Sequence, residues 1–431
     1  MKNSLLKPEP GKTLYKQLFY FLTAVFALSF FVVLLASGGY SMRGLLDPDR
    51  SGTFMEFFNN LILSDKEPYK SGSLTPPFAI LLYRGLLTFV SPATLKTIVK
   101  SPSSSSFSPL VKTYQQFYFP FIVFALLSLC LLFFALRALK SGCVGEKIGF
   151  IFAVFLSAPM LFALERGSDV VLTLGLVALF FAGKDSEKKL TRNLSLAALG
   201  VACAFGFYPL LFCIALAGKK RFIDILKVFG VFITLTVPAL FIVGGGIGGA
   251  GLYVRNLVNV WKDNSLNVLG QLNFSGDLVY LLSGTGASNG ALTLAGTLFA
   301  AAAGLLTLAG AILAKKDWQS TALICCLICG ISPLCDTSLL VFFAIPISMI
   351  LDGETENSAV TYISLTLTVL TQALIVSPDI SVRSYTRAFI TRISGFSVLA
   401  LALLLFAVSI SDLIKRHVEK VPETAPAVKA D

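Results

Sequence analysis

Residues 114–136 read YQQFYFPFIVFALLSLCLLFFAL, and from Phe117 onward the stretch carries no charged side chain. At 1.5 Å per residue, about 20 apolar residues in a helix cross the ~30 Å hydrocarbon core of a bilayer. Hydrocarbon offers backbone N–H and C=O groups no water, so a lipid-facing segment must satisfy them internally as a helix. The stretch therefore reads as a transmembrane helix. Runs of the same character recur at 17–38, 148–164, 169–183, 222–243, 289–314, 318–335, 337–351, 357–377 and 389–412. The composition agrees: 55% of the 431 residues are hydrophobic and 14% charged, against about 25% charged in soluble domains, and mean hydropathy is +0.79. A soluble globular fold is excluded. The expected fold is an all-α polytopic membrane protein, a bundle of roughly 10–12 transmembrane helices. Residues 1–414 form one membrane domain and 415–431 a cytoplasmic tail.

Several function classes drop out on residue counts. The single histidine, His417, leaves no histidine metal site and no Ser/His/Asp triad. The eight cysteines lie mostly inside apolar runs, with no disulfide framework. Cys326 and Cys329 form a CxxC inside ALICCLICG, where they read as small helix-packing residues. The net charge of +11 comes without a nucleic-acid-binding motif and reads as basic cytoplasmic loops. Lys2, Lys7, Lys12 and Lys16 precede the first apolar run, Phe19 to Ala36. That run is longer than a signal-peptide core and reads as a retained helix; cleavage after Leu35-Ala36-Ser37-Gly38 is the competing reading.

The remaining segments are read from breakers and charge. The apolar stretch 76–92 is short, proline-bracketed and holds Arg84, as a helix lying at the interface would. The Ser-rich stretch 94–113 reads as a mobile loop, and the Gly run 244–251, which lacks a P-loop lysine, as a flexible hinge. Residues 193–218 are flanked by basic clusters at both ends, Lys184, Lys188, Lys189, Arg192 and then Lys219, Lys220, Arg221. Positive charge prefers the cytoplasm on both sides. The segment is therefore expected to turn back at Gly206-Phe207-Tyr208-Pro209, where glycine and proline supply the break. With the N-terminus inside, the basic loops 137–147, 184–192, 219–227 and 315–316 all fall inside; only 352–357, with Asp352, Glu354 and Glu356, fits poorly. The outer side of the cell membrane then collects residues 39–113, Glu165 to Asp169, Phe207-Tyr208-Pro209, 244–288, Ser332 to Asp336 and 378–388.

That face holds the chemistry-bearing residues. In the first outer loop Asp47 and Asp49 follow the first helix, and Phe54, Phe57, Phe58, Leu61 and Ile62 then recur at helical spacing, as on an amphipathic helix at the membrane surface. Glu56, Asn59 and Asn60 take its other face. A carboxylate held beside apolar groups at that surface is suited to general-base work; turn or cap roles for Asp47 and Asp49 are the plainer alternative. Arg166, Arg255, Lys262, Arg383 and Arg387 are the outer-face cations. Arg383 and Arg387 share a helix face if that stretch is helical, as a phosphate clamp or as headgroup-seeking side chains would. Trp261 reads as an interfacial anchor or an aromatic ligand platform, and Tyr208 as part of a helix break or a ligand contact.

The order of an N-terminal helix, an acidic loop, an aromatic amphipathic segment, Pro68-Tyr69, and Pro76-Pro77 before an apolar helix resembles the GT-C membrane glycosyltransferases, most closely glycosyltransferase family 87. Downstream, ALERGSDVVLTLGL, AALGVACAFGFYPLLF and ISPLCDTSLLVFFAIP resemble the family's Gly-polar-polar-Asp, Tyr-Pro-Leu and Ser-Pro segments, so that the likeness covers roughly residues 15–350. One departure is Gly206, near where many members carry a lysine before Tyr-Pro. The resemblance implies inverting transfer of a sugar, mannose in the typical members, from a polyprenyl-phosphate donor to a lipid or glycan acceptor. It implies Asp49 as the base, with Asp47 and Glu56 as alternatives. Arg383, Arg387, Arg166, Lys262 and Arg255 would stand near the donor phosphate, and Tyr208, Tyr69 and Trp261 would line the substrate cavity. The lipid phosphate leaves directly, so no metal or nucleotide cofactor is expected. A transporter or flippase is the alternative class; it would show inverted repeats and midplane charge, and the helix centres here are nearly bare of charge.

Overall fold

The computed structural model describes residues 10–36, 53–65, 67–99, 114–243, 246–264, 273–332, 337–353, 358–373 and 383–418. Among these, every regular element is helical: α1 (Pro10–Ala36), α2 (Met55–Leu63), α3 (Pro77–Leu87), α4 (Pro92–Val99), α5 (Tyr118–Leu139), α6 (Val144–Phe155), α7 (Ala158–Arg166), α8 (Val170–Gly183) and α9 (Lys189–Phe205) make up the first half. The second half runs through α10 (Ile214–Ala217), α11 (Phe222–Val243), α12 (Ile247–Asn264), α13 (Phe274–Leu282), α14 (Asn289–Leu313), α15 (Asp317–Ile331), α16 (Ala344–Asp352), α17 (Ala359–Gln372) and α18 (Arg383–Val418). Helices α1, α5, α11, α14 and α18 are long and apolar enough to cross a membrane. The chain is an all-α polytopic membrane protein.

Burial sorts the helices by where their apolar faces go. Only 11% of the α11 span and 17% of the α1 span are buried inside the protein. Their exposed Phe21, Leu28, Phe31, Leu226, Phe241 and Ile242 would be an aggregation liability in water and meet acyl chains in a bilayer. By contrast α8 and α15 are apolar on all sides and almost wholly buried, as a helix at the centre of a bundle must be.

Three crossings are broken. α6 and α7 meet at a 60° bend around Ser157, with Pro159 in the first turn of α7. Proline lacks the N–H that would continue the ladder, and Ser157 Oγ donates to the Val154 carbonyl at 2.8 Å. The expected turn-back at 206–209 is present: Gly206 is extended, a 3₁₀ segment runs Tyr208–Cys213, and α10 completes the return. A matching break lies after α15, where a 3₁₀ segment, Thr337–Phe343, leads into α16. The two 3₁₀ segments pack together, Phe342 lying 5.6 Å from the Tyr208 ring and 5.8 Å from that of Phe212. Their poorer backbone geometry is supplemented from neighbours: Gln372 Nε2 donates to the Leu340 carbonyl at 2.6 Å and Cys325 Sγ to that of Phe342 at 3.5 Å. Cys325, Cys326 and Cys329 are buried, free and part of this packing.

One face of the bundle is tied by ions. Lys184 reaches Asp317 at 3.1 Å, Lys219 reaches Asp317 at 2.6 Å, and Arg221 joins Asp185 at 2.8 Å. Burial alone would raise Asp185 and Asp317, but Lys184 and Lys219 hold both below the usual carboxylate range. Both ends of the turned-back segment therefore sit together. Lys16 pairs with Glu146 at 2.8 Å, and buried Lys140 pairs with Asp352, whose other oxygen accepts from the Ser141 amide at 2.7 Å. The acid at 352 that fitted the charge pattern poorly is the counter-ion of a basic loop.

Two expectations need correction. The Gly run does not form a hinge beyond Gly246: with Gly246 at φ +69, α12 begins at Ile247 and takes up Gly248 and Gly251, because docking of its apolar face outweighs glycine's weak helix propensity. The stretch from 94 is not wholly loop, since Pro92–Val99 is helical with Leu95 and Ile98 buried against α3 and the turn after it; residues 100–113 lie outside the description. Asp352→Ala leaves a buried ammonium unpaired and is expected to destabilise the protein by about 3 kcal/mol or more, read as a lowered melting temperature in detergent, whereas Lys140→Met with Asp352→Leu restores it.

Candidate active site on the first-loop face

Opposite the ion-tied face, α2 lies with Phe57, Phe58, Leu61 and Ile62 buried. Phe57 packs on Phe124 and Tyr83 at 5.1 and 5.7 Å. The apolar spacing read in the sequence is the buried side of this helix, and Glu56, Asn59 and Asn60 occupy its flank. The chain enters α2 through Phe54, a non-glycine residue at φ 55. Such a backbone costs roughly 1–3 kcal/mol and persists only where surroundings fix it. Here the Phe54 amide donates to the Glu165 carbonyl at 2.6 Å and its ring stacks on Phe121 at 4.2 Å.

The second strip of the site is the turn Glu165-Arg166-Gly167-Ser168-Asp169 between α7 and α8. Gly167 closes α7 at φ +65, and a Cβ there would stand 2.9 Å from that of Phe57. Only glycine meets both conditions. With the turn held this close, Arg166 Nε donates to Glu56 Oε1 at 2.5 Å, and its guanidinium lies 5.4 Å from the Phe162 ring. The pair is less than a third exposed on either side, so it is a charge-assisted bond largely out of water. Beneath it Tyr83 is fully buried; burial, then the nearby Asp169 carboxylate, pushes its phenol well above the usual range.

A third strip comes from α12. Asn256 Nδ2 donates to the carbonyls of Tyr69 at 2.8 Å and Ser73 at 3.3 Å, and Tyr253 stacks on Tyr69 at 5.0 Å and on Phe207 at 5.9 Å. Thr75 Oγ1 donates to Asn60 Oδ1 at 2.7 Å, joining this strip to α2. The segments at 53–75, 165–169, 207 and 253–256 thus meet on one face. Asn256 was not singled out in the sequence; a lone amide in a glycine-rich stretch carries no signal there.

The individual candidates fall as follows. Glu56 and Arg166 are paired with each other. Tyr69 is 2% exposed, its hydroxyl donating to the Thr75 carbonyl at 3.4 Å, so it braces the loop. Tyr208 turns its ring toward Phe342 between the 3₁₀ segments. Arg255 is exposed on α12. Trp261 and Lys262 lie on the same helix and Arg383 and Arg387 in the first turns of α18; their side chains lie outside the description. The helical backbone does give Arg383 and Arg387 the four-residue spacing of one face. Asp47 and Asp49 lie outside the described residues, four or more positions before Phe54. Apart from the first-loop face, a cleft of about 540 Å³, its open side included, lies among α1, α6, α16 and α17, lined by Phe19, Phe26, Phe150, Ile347 and Gln372.

Compared with known proteins, the chain matches the profile of glycosyltransferase family 87 over residues 106–337. No curated protein matches it. The matched region spans more than half the chain and includes the 165–169 turn, the first 3₁₀ break and α12, and the chain belongs to glycosyltransferase family 87.

Proposed function

We propose that this glycosyltransferase moves a hexose, mannose by family likeness, from a polyprenyl-phosphate donor to a lipid or glycan acceptor on the extracytoplasmic side of the cell membrane. Both termini are then cytoplasmic. The observation that carries the reading is the seam between the first loop and the family-matched region: the Phe54 amide on Glu165 and the Glu56–Arg166 pair. The seam ties the chain just after the acidic segment to the turn at 165–169.

The chemistry assigns roles by charge. The acceptor hydroxyl oxygen attacks the anomeric carbon; the new C–O bond forms as the bond to the phosphate oxygen breaks, and the electron pair leaves on the lipid phosphate. The hydroxyl proton passes to a carboxylate. Glu56 is ill suited, because its carboxylate is already engaged by Arg166 in the pair that fixes the loop. Asp49, with Asp47 as the other loop acid, is the assigned base, and general-base help contributes about 10²–10⁴-fold. Arg383 and Arg387 stabilise the leaving phosphate, with Lys262 and Arg255 as further cations and Arg166 fixing the acid-bearing loop. Such cations make a metal or other cofactor unnecessary. Trp261 serves as the aromatic wall for the sugar.

Asp49→Asn is expected to lower transfer by at least about 10²-fold in membranes supplied with polyprenyl-phosphate mannose while leaving protein levels unchanged; Glu56→Gln, which loosens the loop, lowers it less. Full activity in Asp49→Asn would reassign the base. Replacing Arg383 and Arg387 together with Gln is expected to raise the donor KM about tenfold or more; unchanged kinetics would make them headgroup contacts. A reporter fused after Asp431 should read as cytoplasmic, and an external signal would overturn the orientation.

A further inference from the structure

Helix α13 is seated on three glycines. Ser275 lies on Gly296 of α14, Phe274 on Gly330 of α15, and Asp277 on Gly395 of α18; a Cβ at any of the three would come closer than 3.0 Å. Asn273 caps the helix, accepting from the Gly276 amide at 2.7 Å, and donates to the Ser332 carbonyl at 3.2 Å. Within this seat is a buried ion pair. Asp277 is 1% exposed, and Arg392 Nη1 stands 3.5 Å from its Oδ1. The same Nη1 donates to the Gly276 carbonyl at 2.9 Å, and the guanidinium lies 4.6 Å from the Tyr280 ring. Among the described residues neither oxygen of Asp277 accepts a hydrogen bond. A buried pair of this quality recovers less than its desolvation cost, and an apolar pair of similar volume would be at least as stable. Fixing the register of two helices is the better-attested use of such a pair.

We infer that Asp277 and Arg392 are positioning residues that set the height of α18 against α13, and so place Arg383 and Arg387 for the donor phosphate. The inference rests on the phosphate-binding role proposed above for those two arginines. Arg383 stands about 13 Å along the helix from Arg392, with neither glycine nor proline between them, so a shift at Arg392 is carried rigidly to the first turns.

The pair is sensitive to protons. Burial, opposed by Arg392, pushes the Asp277 carboxyl up to about 7. Around it, α13 offers only Tyr280, α14 carries no ionisable side chain, and α15 has Cys325, Cys326 and Cys329 with Asp317 at its far end. On α18 the other ionisable residues are Arg383, Tyr385 and Arg387 above, and Asp412, Lys415, Arg416 and His417 at the far end. Arg392 is the charge that faces Asp277. A raised carboxyl means that the folded state keeps its proton where the unfolded chain has lost it. Stability is therefore full below the ordinary aspartate range and is lost as pH rises to about 7. Above that pH the ion pair is complete.

The test compares full-length wild type with Asp277→Asn, purified in detergent, with polyprenyl-phosphate mannose as donor. In the wild type the donor KM should fall as pH rises through about 7. In Asp277→Asn it should stay at the low-pH value, about tenfold higher than wild type on the alkaline side, with kcat following the wild-type profile. Replacing both partners, Asp277→Leu with Arg392→Met, should leave the melting temperature at least as high as that of the wild type while the donor KM stays raised. Undiminished stability with poorer donor use is a combination that a merely structural pair does not give. Gly395→Ala, which intrudes on the carboxylate, should raise the KM likewise. Asp277→Asn with wild-type KM at every pH, or a double variant that fails to fold or melts well below the wild type, overturns the inference. Wild type that transfers no sugar overturns the functional reading and this inference with it; wild-type transfer with unchanged variant KM overturns the inference alone.

Discussion

Backbone amides and carbonyls cannot be left unsatisfied in hydrocarbon, and the architecture follows from that constraint. It makes every described element a helix, and it makes each interruption costly enough to need a local remedy. At Ser157 the remedy is a serine hydroxyl on the Val154 carbonyl. At the 3₁₀ segments it is Gln372 and Cys325 on the carbonyls of Leu340 and Phe342. Because breaks are tolerated only where protein rather than lipid surrounds them, the two 3₁₀ segments lie in the interior, against each other. The long helices with poorly buried faces, α1 and α11, are left outside to meet lipid.

The same constraint divides the molecule into two unlike faces. One is held by ion pairs between short loops, which fix how the helices return without contributing surface for a substrate. The other is held by aromatic stacking and directed side-chain-to-backbone bonds, with the charged pair Glu56–Arg166 at its seam. Loops carry function when a rigid scaffold positions them, and here the scaffold reaches into the loop itself. The strained backbone at Phe54, where the chain enters α2, is tied to the turn after α7.

Much of this was legible in the sequence because the signals are thermodynamically large. Twenty uncharged residues around Phe124 leave no soluble alternative, and basic clusters on both flanks of 193–218 require a turn-back that Gly206 and Pro209 can supply. Asp352 fitted the charge pattern poorly for a physical reason: charge counting sees the sign of a loop and not the buried Lys140 opposite. The Gly run at 246–251 was misread because glycine's helix penalty is about 1 kcal/mol per residue, which packing readily exceeds. The Asp277–Arg392 pair was invisible because Asp277 sits in a loop-like stretch and Arg392 looks like one more cation at the end of a span. Only folding brings them together at Gly395.

The account centres on direct, inverting displacement at a lipid phosphate. Its most direct test is to supply the purified protein in liposomes with a polyprenyl-phosphate sugar of known anomeric configuration and to identify both products. The account predicts a transferred sugar of opposite configuration together with free polyprenyl phosphate. Retained configuration, or transfer only from a nucleotide sugar with no polyprenyl phosphate released, would contradict it.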